Sequence, residues 1–137
     1  YKMEKHNEML QAKYAKIEEQ EVRYEEVLLE DAEYVIVAFG SSARISQKAV
    51  KIARENGIKA GLLRPITLFP FPKQKIEQLS ARVKGFLVVE MNAGQMVDDV
   101  KLAANGKVPV KYFGRYGGVI PAPNEVMEAL KEKIVKA

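Results

Sequence analysis

The sequence predicts a three-layer α/β/α sandwich around a mixed, five-stranded sheet, and three observations carry that expectation. From Glu33 onward, short apolar runs alternate with amphipathic helical stretches through four strand–helix units, the pattern of a parallel sheet. The runs Tyr34-Val35-Ile36-Val37-Ala38-Phe39 and Phe86-Leu87-Val88-Val89 have no polar alternation, as strands covered on both faces require. The segment 22–28 does alternate, and only a few residues join it to the next run. A parallel crossover needs about a dozen residues, so this strand is expected to run antiparallel at a sheet edge.

Taken in order, residues 3–19 lack glycine and proline and place Met3, His6, Leu10, Tyr14 and Ile17 on one narrow helical face. That stripe is thin, so the helix is expected to pack on the domain's edge or outside it. His6 has no neighbouring nucleophile or second ligand and reads as a histidine without a catalytic role. A helix over 43–56 would bury Ile45, Ala49, Ile52 and Ala53, and Asn56-Gly57 would stop it. The strand 59–63 leads into Arg64-Pro65, where proline biases the preceding residue toward extended backbone. Three prolines then make a stiff connection, 65–72, whose Ile66, Leu68, Phe69 and Phe71 must be covered by something. Further elements follow: a helix over 73–83, a strand over 86–90, a helix over 95–104, a strand over 108–113, and a last helix from Pro123. The organisation predicted is an N-terminal helix or connector arm, 1–21, and an α/β domain, 22–137.

Composition removes several classes of function. There is no cysteine and one histidine in 137 residues, which leaves no thiolate ligands for an iron–sulfur cluster and argues against structural zinc. The net charge of +4 is spread over mixed lysine–glutamate surfaces, with no basic stripe for nucleic acid. No apolar run nears the roughly 20 residues that span a bilayer, and no signal-peptide pattern opens the chain. A cytoplasmic protein is expected, and Tyr1 in place of methionine suggests a piece of a longer chain.

Ligands of open α/β sheets sit at the carboxyl ends of the strands, and four segments end there. Gly40-Ser41-Ser42 opens a helix and is a weak candidate anion site, since helix-start amides suit negative charge. The preferred reading is a tight turn with Ser41 or Ser42 as helix cap. Arg64 and Glu90 each cap an apolar strand, and a structural pair between them is favoured over Arg64 holding a carboxylate or phosphate. Asn92 and Gln95 read as turn residues free for interdomain hydrogen bonds. Phe113-Gly114-Arg115-Tyr116-Gly117-Gly118 offers Arg115 as an interface residue. No catalytic triad, metal spacing or acid pair appears, so no catalytic residue is assigned.

Two stretches are specific enough to carry a family resemblance. Leu62-Leu63-Arg64-Pro65-Ile66-Thr67-Leu68-Phe69-Pro70-Phe71-Pro72, followed by Val88-Val89-Glu90-Met91-Asn92-Ala93-Gly94-Gln95, resembles the α subunit of the 2-oxoacid:ferredoxin oxidoreductases. Ala38-Phe39-Gly40-Ser41-Ser42-Ala43-Arg44 and Tyr24-Glu25-Glu26 fit the same family. The similarity runs from about Val22 to the end and corresponds to that subunit's C-terminal region, a domain related to the transketolase C-terminal domain.

The resemblance implies an enzyme complex that turns a 2-oxoacid and coenzyme A into acyl-CoA and carbon dioxide. Thiamine diphosphate with magnesium serves as its cofactor, and iron–sulfur clusters pass electrons to ferredoxin. Those groups are implied in thiamine-binding and cluster-binding partner subunits or domains, with none bound by this chain. The role implied here is packing and positioning, with Arg64, Phe69, Phe71, Glu90, Asn92, Gln95 and Arg115 at the interface edge and the isolated chain inactive. The alternatives are the same domain in a transketolase- or E1-like enzyme, and a free-standing anion-binding module using Gly40, Ser41 and Ser42.

Overall fold

A computed structural model describes residues 1–137. Five strands, β1 (Tyr24–Val27), β2 (Tyr34–Ala38), β3 (Ala60–Pro65), β4 (Gly85–Glu90) and β5 (Val110–Gly114), form one sheet in the order β1-β3-β2-β4-β5. The expected mixed sheet is present: β3, β2, β4 and β5 are parallel, and β1 pairs antiparallel with β3, Tyr24 opposite Pro65 and Glu25 opposite Arg64. The helices are α1 (Lys2–Gln20), α2 (Gly40–Glu55), α3 (Lys73–Ser80), α4 (Met96–Ala104) and α5 (Pro123–Leu130), the last continued by a π-helical turn, Lys131–Val135.

Strand alternation sends successive side chains to opposite faces, so the sheet feeds two cores. Ile36, Leu62, Leu87 and Val89 pack with Ala49, Ala53, Val126 and Leu130 of α2 and α5. Val35, Val37, Leu63, Phe86 and Val88 meet Ile76, Leu79, Met96 and Val100 of α3 and α4. Each of the buried Val, Leu, Ile, Phe and Met side chains among them stabilises the fold by about 1.5–3 kcal/mol relative to exposure. The helix-face expectations hold for Ala49, Ala53, Ile76, Leu79, Val83, Val126, Leu130 and Ile134, while Ile45 and Ile52 are half-buried at the core margin.

Helix α2 meets its neighbours through small residues, Ser42, Ala43, Ser46, Ala49 and Ala53. The Ser46 hydroxyl is buried there without a hydrogen-bond partner. The β1–β2 connection is clamped by two arginines. From α2, Arg54 donates to the Ala60 carbonyl (2.7 Å), the Leu28 carbonyl (2.9 Å) and both Asp31 oxygens (2.7 and 3.2 Å). From beyond α3, Arg82 donates to the Leu29 (2.5 Å) and Ala32 (3.3 Å) carbonyls. Gly61 makes room for this turn, because a Cβ there would lie 2.7 Å from the Leu28 oxygen.

Two predictions follow from this packing. Ser46→Ala removes an orphaned hydroxyl and is expected to be neutral or stabilising by up to about 1–2 kcal/mol in urea unfolding. The hydrogen bond and charge of Arg54 lower the Asp31 pKa, and those of Lys84 lower that of Glu33. Carboxyls held low in the folded state stabilise it above their ordinary pKa, and that contribution is lost as pH falls through the folded value. Urea midpoints should therefore drop in acid, with a shallower decline for Arg54→Gln.

Candidate functional site

The parallel strands all end on one edge of the sheet, and this edge carries most of the chain's uncommitted chemistry. At its centre Glu90, the last residue of β4, is 1 % exposed. Its carboxylate accepts hydrogen bonds from the backbone N–H groups of Gln95 (3.0 Å), Met96 (2.7 Å) and Val97 (3.1 Å), and from the Asn92 amide (3.3 Å). The start of α4 is thus an anion site already filled by the protein's own carboxylate. Asn92 closes the turn by accepting from the Gly94 N–H at 2.7 Å, and its carbonyl takes the Tyr112 hydroxyl. Burial first, then the Glu90 charge, raises the Tyr112 pKa. A side chain at Gly114 would collide with the Tyr112 hydroxyl and lie 2.7 Å from the Glu90 carbonyl oxygen, so glycine is required there.

The expected Arg64–Glu90 pair does not form. Strand β2 lies between β3 and β4, so the two residues are two strand spacings apart, roughly 9–10 Å. Arg64 is instead exposed and pairs with Glu25 of β1 at 2.8 Å. The antiparallel register that sets Glu25 opposite Arg64 explains the partner. Glu90 needs no cation because helix amides neutralise it.

Gly40, Ser41 and Ser42 lie in the first turn of α2, which starts three residues before the expected Ala43. The helix cap is Phe39, with no side-chain hydrogen bond, so neither serine caps as expected. Gly40 has φ +56°, a left-handed conformation that glycine adopts without steric cost. Gly40 and Ser41 are exposed and line a 500 Å³ crevice with Arg44, Gln47, Arg64 and Glu25, while Ser42 is buried.

The remaining expected residues divide between self-packing and exposure. Phe71 is half-buried against the α3–α4 core. Phe69 is 62 % exposed and stacks edge-on with Tyr14 of α1, ring centres 6.2 Å apart. Arg115 pairs with Glu125 at 2.9 Å, and Glu125 also accepts from the Ala122 N–H at 2.7 Å, fastening the β5–α5 loop to α5. Gln95 is exposed beyond its backbone bond to Glu90. Reading the sequence missed Glu25, Tyr112 and Glu125. The spacing of Glu125 three residues into a helix was a usable signal, whereas Glu25 and Tyr112 depend on strand order.

Exposed apolar side chains follow three of the strands that end here: Ile66 after β3, Met91 after β4, and Tyr116, Val119 and Ile120 after β5. No group of three or more acidic or histidine side chains is placed to hold a metal ion, and no cysteine is present for a cluster. No helix is long and apolar enough to cross a membrane.

This sheet, with its antiparallel edge strand, has the fold of a transketolase C-terminal-like domain. Residues 32–126 match the model of pyruvate:ferredoxin oxidoreductase core domain II, and the chain belongs to that family. It is 48% identical over 130 residues to the ketoisovalerate oxidoreductase subunit VorB of Methanothermobacter marburgensis, covering 95% of this chain and 37% of the relative. Among solved structures, it resembles the 2-oxoglutarate:ferredoxin oxidoreductase from Magnetococcus marinus with 2-oxoglutarate, coenzyme A and succinyl-CoA bound. That likeness has a TM-score of 0.71 and 23% identity, and it covers 81% of this chain and 19% of that one. A split-gene transketolase, described as an inactive beta4 tetramer, matches with a TM-score of 0.69 and 20% identity over 80% of this chain and 40% of that one. The chain thus spans little more than a third of the VorB relative's length. The family match sets it with the oxidoreductases, while transketolase shares the fold.

Glu90→Gln replaces an acceptor oxygen with an NH₂ group facing backbone donors in a buried site. It is expected to cost about 2–4 kcal/mol in chemical unfolding. It should also speed hydrogen exchange at the start of α4.

Proposed function

We propose that this chain serves as the C-terminal-type domain of a 2-oxoacid:ferredoxin oxidoreductase α subunit, where it packs against and orients the catalytic domains. The observation that carries this reading is the exposure of Ile66, Met91, Tyr116, Val119 and Ile120 in the segments that follow the strand ends, the edge where α/β domains meet ligands and neighbours. Residues 22–137 make the packing unit and residues 1–21 a connector arm. Arg44, Arg64 and Arg115 on the same edge set the register of docking, while Glu90, Asn92 and Gln95 shape the edge from within. Phe69 faces α1, and Phe71 supports it from the core side.

The complex's chemistry belongs to thiamine diphosphate, magnesium and iron–sulfur clusters held by partner subunits or domains, with coenzyme A and ferredoxin as co-substrates of the whole assembly in the cytoplasm. The substrate class is a 2-oxoacid, because the relatives carry names of enzymes acting on ketoisovalerate and 2-oxoglutarate. Gly40, Ser41 and Ser42 contribute a crevice wall at the docking edge.

The test is reconstitution with the thiamine-binding and cluster-binding subunits. The chain alone should not oxidise any 2-oxoacid with coenzyme A, whereas the assembled complex should. Ile66→Asp with Ile120→Asp is expected to lower assembly at least tenfold, read by co-purification and activity, with an unchanged melting temperature. Turnover by the purified chain, or full assembly of the double variant, would overturn the proposal.

A further inference from the structure

A second exposed surface lies on the outer side of α3 and α4. Helix α4 buries Met96, Val97, Val100 and Ala104 and turns Asp99, Leu102 and Ala103 the other way. Those three share the i, i+3, i+4 spacing of one helical face. Helix α3 presents Gln74, Glu77 and Gln78 with the same spacing, and the last turns of α1 close the third side. Between the three helices lies a groove of 740 Å³. Its apolar lining includes Leu102, which is 81 % exposed, and Leu68, Phe69 and Phe71 of the proline-bound connection. Leu102 is therefore not an isolated surface leucine: with Leu68 and Phe69, also exposed, it borders one concavity.

The charges around the groove decide what fits it. Both lysines of the lining are committed, Lys73 to Glu18 at 3.4 Å and Lys75 to Glu26 of β1. Glu19 of α1, Glu77 of α3 and Asp99 of α4 are exposed and have no cation partner. The chain as a whole carries +4, so this acidic rim runs against the overall charge. The one buried side-chain polar atom without a partner is the Ser46 hydroxyl, on the opposite face of the sheet. Nothing inside the groove is thus placed to orient a small polar molecule. An apolar floor with an acidic rim is complementary to an amphipathic helix whose apolar stripe is flanked by lysine or arginine.

We infer that this groove docks a basic amphipathic helix of another protein chain, a contact separate from the strand-end edge. The apolar stripe of that helix covers Leu68, Phe69 and Leu102, and its cations meet Glu19, Glu77 and Asp99. One acid on each of three helices sets both the orientation and the register of the guest.

The first test needs only this chain, so its outcome is independent of assembly through the strand-end edge. Fluorescence anisotropy compares two labelled probe helices of about 18 residues that share one leucine stripe at i, i+3, i+4 and i+7. The probe with lysines on its polar face should bind roughly tenfold more tightly than the one with glutamates, whereas attraction to net charge alone would favour glutamates. Glu77→Lys with Asp99→Lys should reverse that preference, and Leu102→Gln should weaken the lysine probe about fivefold. All three positions are exposed, so the melting temperature should not move. In the second test, the absence of cysteine lets Leu102→Cys carry a single benzophenone label into the complex reconstituted with its other subunits. The crosslinked peptide should be a lysine- or arginine-rich helical segment of one of those subunits. Tighter binding of the glutamate probe, indifference to Leu102→Gln, no crosslink in an assembled complex, or capture of a second copy or of another segment of this same chain would overturn the inference.

Discussion

The carboxylate of Glu90 is the point on which the strand-end edge depends. It terminates the interior strand β4, neutralises the first amides of α4, and holds Asn92 so that the turn between them closes. The same residue's carbonyl receives the Arg115 N–H at 3.3 Å, which ties the exit of β5 to the exit of β4. A single buried charge, satisfied by backbone donors, thereby aligns two strand exits and one helix start. A free cation would disturb this arrangement, because the helix amides already saturate the acceptor sites.

Of the helix starts on this edge, those of α2 and α4 are chemically opposite. That of α4 is occupied from within, whereas that of α2 opens beside Arg44 and Arg64 on a shallow crevice. Between and beyond them lie exposed isoleucine, methionine and tyrosine side chains rather than reactive groups. An edge with an internally satisfied acid, arginines tied to glutamates and uncovered apolar surface is suited to meeting another protein surface.

The fold was legible because the buried strands read as continuous apolar runs and β1 as an alternating one. Asn-Gly pairs at 56–57 and 105–106 marked two helix ends, and Asn105 and Gly106 both take positive φ. The site was less legible. Arg64 and Glu90 looked like partners because both end strands on the same edge, and only the insertion of β2 between β3 and β4 separates them. Strand order is a long-range property that local periodicity does not encode. The serines at 41 and 42 failed as caps for a different reason: the positive φ at Gly40 lets the helix begin earlier, with Phe39 turning the chain. Phe71 read as an outward contact, yet the proline-bound connection turns it toward the α3–α4 core.

The ion pairs that fasten α1 and β1 have a consequence for temperature. The hydration that opposes pairing of charged groups weakens on heating, whereas the gain per unit of buried apolar area levels off. Glu18–Lys73, Glu25–Arg64 and Glu26–Lys75 therefore lose less of their strength than most surface contacts as the protein warms. The attachment of α1 and β1 thus keeps more of its strength on warming than a purely polar surface contact would.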